Sequence, residues 1–266
     1  MKKLKSLILF GVLTSSLQAQ ELAMVGFPTI FDQTAYAARL AYLSEPSVGL
    51  ALNNRFVKEL NVLKIFGAYP LQSGVWSGMY KTFGYAQYRE HSFGMGLSKI
   101  ITPRWALALQ AFPKIETFGK EYASRFSMDL NATSFAKLSP NLYWDSEINL
   151  PIRLTSNTRN DAPLQSFLRI SMSYVFSKRC QTSVHIKQQL PYKTEVHLQL
   201  GYVPVSSLMF FGIVGSSGDC GFGVGYVFEQ ITCRFQAQYR SIVGYSTTVG
   251  VSYPFTNAQK INRHDF

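Results

Sequence analysis

Ser246-Thr247-Thr248-Val249-Gly250-Val251-Ser252-Tyr253-Pro254-Phe255 is the stretch that decides the fold. Val249, Val251, Tyr253 and Phe255 alternate with Thr248, Gly250, Ser252 and Pro254. Side chains along a strand point to opposite faces in turn, so this stretch carries one apolar face and one small or polar face. The same period of two recurs toward the N-terminus, and turn residues separate the repeats. Leu168, Ile170, Met172, Tyr174 and Phe176 stand against Arg169, Ser171 and Ser173. Ile231, Cys233, Phe235, Ala237 and Tyr239 stand against Thr232, Arg234, Gln236, Gln238 and Arg240, and Phe222, Val224, Tyr226 and Phe228 alternate with glycines.

Fourteen such segments are legible: 47–57, 61–69, 74–84, 90–100, 104–114, 125–137, 141–150, 164–177, 180–190, 193–203, 206–215, 219–228, 230–240 and 244–255. Residues 1–19 read as an export signal. Lys2, Lys3 and Lys5 precede an apolar run at 7–13, and small residues lead to a break near Ala19-Gln20. Loss of three lysines would take the formal charge from +11 to +8. After residue 20 there is no apolar run of the roughly 18 residues that a helical span needs. Yet 47% of the chain is apolar, 14% aromatic and only 15% charged. That is too little charge to dress a soluble surface, but it suits a barrel whose outer face meets lipid. In a bilayer the backbone must satisfy its own hydrogen bonds, so the strands are expected to close. The expected fold is therefore all-β, a transmembrane antiparallel barrel of about 14 strands over 47–255. A segment at 20–46 precedes it and a tail at 256–266 follows it.

The connections agree. With both termini in the periplasm, the turns at 69–74, 100–104, 137–141, 177–180, 203–206 and 228–230 are periplasmic and short. The longest gaps, 115–124 and 151–163, fall on the other side, as in bacterial outer-membrane barrels. In the 20–46 segment, Gly26-Phe27-Pro28 signals a turn, and 32–43 is predicted as a short helix ending near Pro46. It either plugs the barrel or is a loosely ordered leader.

Cys180, Cys220 and Cys233 share parity with their strands' apolar residues, which predicts small lipid-facing side chains rather than a disulfide or metal set. No nucleophile elbow, zinc signature or phosphate loop is present, and neither an enzyme nor a cofactor is expected. The nearest approach to a nucleophile and base is Ser183 with His185. A hairpin centred near Pro191 sets His185 opposite His197 and Lys187 opposite Glu195, all with lumen parity. This is either a proton- or metal-responsive site or a polar ladder filling the barrel, and the ladder is the more economical reading. Arg169, Arg234 and Arg240 share that parity, with Glu195 and Asp129 as the nearest expected countercharges. Such a lumen could attract anions, or simply be a hydrogen-bonded polar filling. Lys58, Arg89, Lys120, Arg159 and Lys193 fall in outer loops and could meet lipopolysaccharide phosphates. Glu59, Glu90, Glu116, Glu121 and Asp161 lie among them and dilute the positive charge. The expected partners are outer-membrane lipid, lipopolysaccharide and other outer-membrane proteins or lipoproteins. Nucleic acid is not among them.

The aromatic-ended repeat Val249, Val251, Tyr253, Phe255 resembles the terminal strand by which bacterial outer-membrane barrels are recognised for assembly. Pro46-Ser47-Val48-Gly49-Leu50, Asn54-Arg55-Phe56, Lys58-Glu59-Leu60-Asn61, Ala68-Tyr69-Pro70 and Phe83-Gly84-Tyr85 follow one another as in small outer-membrane proteins of the Bacteroidota. They are similar to the PorV type and, more distantly, to FadL-type fatty-acid transporters. The resemblance covers about residues 35–255. It implies a fourteen-stranded barrel with a small N-terminal plug. Its PorV side implies a non-enzymatic subunit of a large outer-membrane machine, of type IX secretion or barrel-assembly kind. Its FadL side implies passage of small or hydrophobic solutes. The expected reading is the accessory subunit, with the passive pore or transporter as the alternative. Where FadL-type chains carry a glycine-rich segment, this one reads Tyr36-Ala37-Ala38-Arg39-Leu40-Ala41, so a glycine-rich hatch is not expected.

Overall fold

The computed structural model describes residues 36–55, 61–85, 87–118, 124–154, 164–189, 194–241 and 244–255. The signal at 1–19, residues 20–35, the tail at 256–266 and the loop charges Lys58, Glu59, Lys120, Glu121, Arg159, Asp161 and Lys193 lie outside the described residues.

Fourteen strands run in chain order: β1 (Ser47–Arg55), β2 (Val62–Leu71), β3 (Gly74–Tyr85), β4 (Tyr88–Thr102), β5 (Trp105–Phe118), β6 (Arg125–Lys137) and β7 (Leu142–Arg153), then β8 (Phe167–Ser177), β9 (Cys180–Gln189), β10 (Thr194–Val205), β11 (Leu208–Gly215), β12 (Cys220–Phe228), β13 (Ile231–Arg240) and β14 (Gly244–Pro254). Each pairs antiparallel with its neighbours in sequence, and β1 pairs with β14, so the sheet is a closed barrel. Closure satisfies every ladder and leaves no edge, as a transmembrane sheet requires. The seam runs from Ser47 opposite Pro254 to Arg55 opposite Ser246, and Phe255 N–H donates to Pro46 O at 2.6 Å.

The period of two sorts the side chains. Val249, Val251, Tyr253 and Phe255 point outward and are exposed, as are Leu168, Met172, Tyr174 and Phe176. Cys180, Cys220 and Cys233 are free and exposed on the same outer wall. Ser171, Ser173, Ser183 and Gln199 alternate with the apolar residues and are buried inside. The chain therefore inverts the usual soluble pattern, with its apolar face outside and its polar face inside.

Register slips occur where β4, β8 and β10 meet their successors, at Ile100/Thr102, Val175/Ser177 and Tyr202/Val205. All three lie beside the short turns at the end of the barrel that carries Ser47 and Pro254. A bulge next to a tight turn adds local twist without disturbing the register of the wall. The helix expected over 32–43 is a 3₁₀ helix, Ala37–Tyr42, and it sits inside the barrel against β3 to β6. Its Leu40 is fully buried among Ala51, Phe66, Ala68, Val75, Met79 and Phe112. Small residues at 37, 38 and 41 let the backbone approach the wall closely, which is the space that glycines would otherwise supply.

Candidate functional site in the lumen

The lumen is built from inward positions of all fourteen strands, and the 3₁₀ helix is fastened into it at several points. Arg39 reaches Asp145 on β7 with both arms, Nε to Oδ1 at 2.8 Å and Nη2 to Oδ2 at 2.5 Å. Its guanidinium lies 4.5 Å over the Tyr36 ring and 5.5 Å over Phe135. Both charges are buried, where a bidentate geometry is what keeps a carboxylate and a guanidinium tolerable. Ala38 N–H donates to Thr133 Oγ1 at 2.9 Å, and Ser98 Oγ–H donates to Ala37 O at 2.8 Å. Tyr36 OH meets His185 Nδ1 at 3.1 Å.

His185 and His197 face each other across β9 and β10, and Lys187 faces Glu195. His185, Lys187, His197 and Arg169 are buried, while Glu195 is half-buried. His185 does not address Ser183. Its Nδ1 meets Ser171 Oγ at 2.7 Å and its Nε2 meets Gln199 Oε1 at 3.0 Å, while Ser183 donates to Ser173 Oγ at 2.8 Å. Ser183 and His185 are two apart on one strand and stand side by side. The facing strand supplies the true partner, so no nucleophile–base pair forms here. An amide oxygen can only accept, so Nε2 is the donor to Gln199 Oε1.

Of the two countercharges the sequence suggested, Glu195 does face Lys187, while the other lies elsewhere. Asp129 pairs with Lys114 on β5, away from the ladder. Arg169 is held instead by Glu147, Nη1 to Oε2 at 3.1 Å, and Glu147 also accepts from Asn131 Nδ2 at 3.4 Å. The Phe167 ring lies 5.6 Å from the Arg169 guanidinium and 4.9 Å from the Lys187 ammonium. The Arg234 guanidinium stacks on Phe211 at 4.9 Å, and Arg240 is half-buried at the far end of β13. His197 Nε2 stands 3.8 Å from Asp219 Oδ2.

Two further features were not read from sequence. At the end of the barrel away from Ser47 and Pro254, Val62, Phe83 and Tyr88 pack inside the mouth with Tyr85 and Phe118. Below them Lys81 pairs with Glu90 at 2.8 Å, and Tyr88 OH lies 3.5 Å from Glu90 Oε2 and 3.0 Å from Glu116 Oε1. Glu90 and Glu116 therefore line the lumen and are not loop charges. Parity was the available signal, since 88 and 90 alternate with the apolar Phe93 and Met95. Across the barrel, Phe211, Ile213 and Met209 form an apolar patch on the inner wall. A Cβ added at Gly223 would run into the Phe211 ring and stand 2.7 Å from Phe235 O, so glycine is what lets that ring lie flat. Among the described residues no group of three or more His, Cys, Asp and Glu side chains is placed to hold a metal ion.

No protein-family model matches the sequence, and no curated protein does. Solved structures do match. A deletion mutant of the monoaromatic hydrocarbon channel TodX aligns with TM-score 0.63 at 8% identity, covering 86% of this chain and 95% of that one. The monoaromatic hydrocarbon channel CymD aligns with TM-score 0.61 at 9% identity, over 86% and 94%. The toluene transporter TbuX of Ralstonia pickettii aligns with TM-score 0.58 at 9% identity, over 86% and 94%. This chain has the fold of these outer-membrane barrel channels.

Proposed function

We propose that this protein is a passive channel for small hydrophobic solutes in the outer membrane of a Gram-negative bacterium. The observation that carries the reading is the lumen itself. An N-terminal segment lies across the inside of a closed fourteen-stranded barrel, with inward apolar clusters above and beside it. Val62, Phe83, Tyr85, Tyr88 and Phe118 offer apolar and aromatic surface at the outer mouth. Leu40, Phe66, Met79 and Phe112 pack the segment against the wall, and Met209, Phe211 and Ile213 form a further apolar patch on the opposite wall. Apolar and aromatic side chains on the inner wall suit the passage of an apolar solute. The channels named above, which share this fold, pass monoaromatic hydrocarbons or toluene, and that agrees with the reading. In the state described, the segment that holds Arg39 occupies part of the lumen, against β3 to β6.

The test is uptake of radiolabelled toluene by vesicles whose outer leaflet is lipopolysaccharide, with and without the barrel. A saturable increase supports the channel, and a rate equal to that of barrel-free vesicles overturns it.

A second reading is favoured by one observation. Asp145, Glu147, Arg169, Ser171, His185 and Gln199 are all buried, so the lumen beside β7 to β10 is packed with paired polar side chains. A barrel that serves as an accessory subunit of an outer-membrane machine needs no path at all. Stoichiometric recovery of other outer-membrane proteins with the gently solubilised barrel would support that role. Migration as a lone barrel of about 30 kDa would remove it.

A further inference from the structure

The exposed charges of the barrel are not scattered. Among the described residues the exposed cations are Arg89, Lys99, Arg104, Lys137, Lys178 and Arg179, and all but Arg89 lie at the end that carries Ser47 and Pro254. They fall on one arc of that rim. Arg104 occupies the β4–β5 turn, Lys137 ends β6, and Lys178 and Arg179 make the β8–β9 turn. Backbone hydrogen bonds join these turns to the next strands: Lys137 N–H to Arg104 O at 2.7 Å, Val175 N–H to Asn141 O at 2.9 Å and Val203 N–H to Arg179 O at 2.7 Å. The arc is thus part of the rigid wall. The exposed acids at this end, Glu45 before β1 and Glu229 in the β12–β13 turn, sit on the opposite arc.

The cations do not all face the same way. Lys137 turns to the lumen mouth, its ammonium 4.6 Å over the Tyr42 ring. Lys99 alternates with the buried Ser98 and stands on the outer wall opposite Leu107. Beside the other cations, Trp105 and Phe176 are exposed on the outer face, next to Arg104 and close to Lys178. Cations placed just beyond an outward aromatic band stand at the depth of lipid headgroups, with the rings in the upper acyl region.

We propose that Lys99, Arg104, Lys178 and Arg179 form a binding surface for the phosphates of anionic glycerophospholipids in the leaflet on the side that carries Ser47 and Pro254. Charge complementarity, the adjoining lipid-facing rings and the segregation of Glu45 and Glu229 to the other arc identify the occupant. Guanidinium and ammonium groups at a membrane surface attract such phosphates, by about fivefold per side chain. The surface is independent of what passes through the lumen.

The test incubates the purified barrel in detergent micelles containing equal amounts of phosphatidylglycerol and phosphatidylcholine, repurifies it and quantifies retained lipid by mass spectrometry. The native chain retains phosphatidylglycerol in excess by about tenfold or more. K99Q/R104Q/K178Q/R179Q loses the excess, R104Q/R179Q shows an intermediate one, and R89Q behaves as the native chain does. All four side chains are exposed, and the circular dichroism of each variant verifies that it is folded. Equal retention of the two lipids by the native chain, or an unchanged excess in the fourfold variant, would overturn the proposal. So would an excess that surplus inorganic phosphate removes in full, since the lipid contacts of Trp105 and Phe176 would then contribute nothing.

Discussion

Arg39→Ala tests the fastening of the internal segment. In the native chain the Arg39–Asp145 pair is buried and bidentate, and it spans 106 positions of sequence. Removing the guanidinium leaves Asp145 as a buried carboxylate facing Tyr36 and Phe135, with no cation bound to it. Breaking a buried pair in this way costs roughly 3–5 kcal/mol. The barrel ladder does not depend on Arg39, so the cost falls on the docking of the segment and not on the wall. A loss of about 3 kcal/mol raises the undocked population by about a hundredfold. The amides to watch are Ala38, bonded to Thr133 Oγ1, and Arg39 and Leu43, bonded to Tyr36 O and Leu40 O. Hydrogen exchange read by mass spectrometry on a peptide covering 36–43 is expected to accelerate by that factor, while peptides from β8 and β9 stay as protected as before. R39A/D145A removes both charges together, and is expected to recover about tenfold of the lost protection. Unchanged exchange at 36–43 in R39A would refute the view that this pair holds the segment. Equal acceleration across β8 and β9 would refute its independence from the wall.

Three other outcomes follow from named contacts. Glu147→Gln takes the counterion from buried Arg169 with Lys187 one strand further on, and is expected to cost roughly 3–5 kcal/mol in urea unfolding from lipid vesicles. Gly223→Ala drives a methyl into the Phe211 ring and against a backbone oxygen that cannot move aside, for a loss of about 1–3 kcal/mol in the same assay. Val249→Lys places an ammonium on the outer wall near the middle of β14, and is expected to lower stability by roughly 2–4 kcal/mol, whereas Thr248→Lys, pointing inward, costs much less.

Strand alternation made the architecture legible. Each strand has one wall in lipid and the other in the lumen, so polarity reports facing directly, and fourteen segments emerged as fourteen strands. The pairing of β9 with β10 was legible for the same reason: a constant sum of residue numbers sets His185 against His197. Partners that no short connection joins were not legible. Arg39 meets Asp145 because the segment enters the barrel, whereas Arg169 lies directly opposite Glu147 across the consecutive strands β7 and β8, whose long connection left the register unset. Nothing local in the sequence encodes the meeting of Arg39 with Asp145. Asp129 had the right parity for the ladder, yet Lys114 on the adjoining strand is nearer. Glu90 and Glu116 were read as loop charges because the strands β4 and β5 extend further than their apolar alternation shows. The 3₁₀ helix Ala37–Tyr42 lies within the helix anticipated over 32–43, and its small residues 37, 38 and 41 with the buried Leu40 and Arg39 fit the space beside β3 to β6.

The measurement that tests the channel most directly is toluene uptake by lipopolysaccharide-faced vesicles carrying either the native barrel or R39A. The account predicts uptake above that of barrel-free vesicles for the native chain and faster, still saturable uptake for R39A, whose internal segment is released. Native and R39A rates that both equal the barrel-free rate would contradict it.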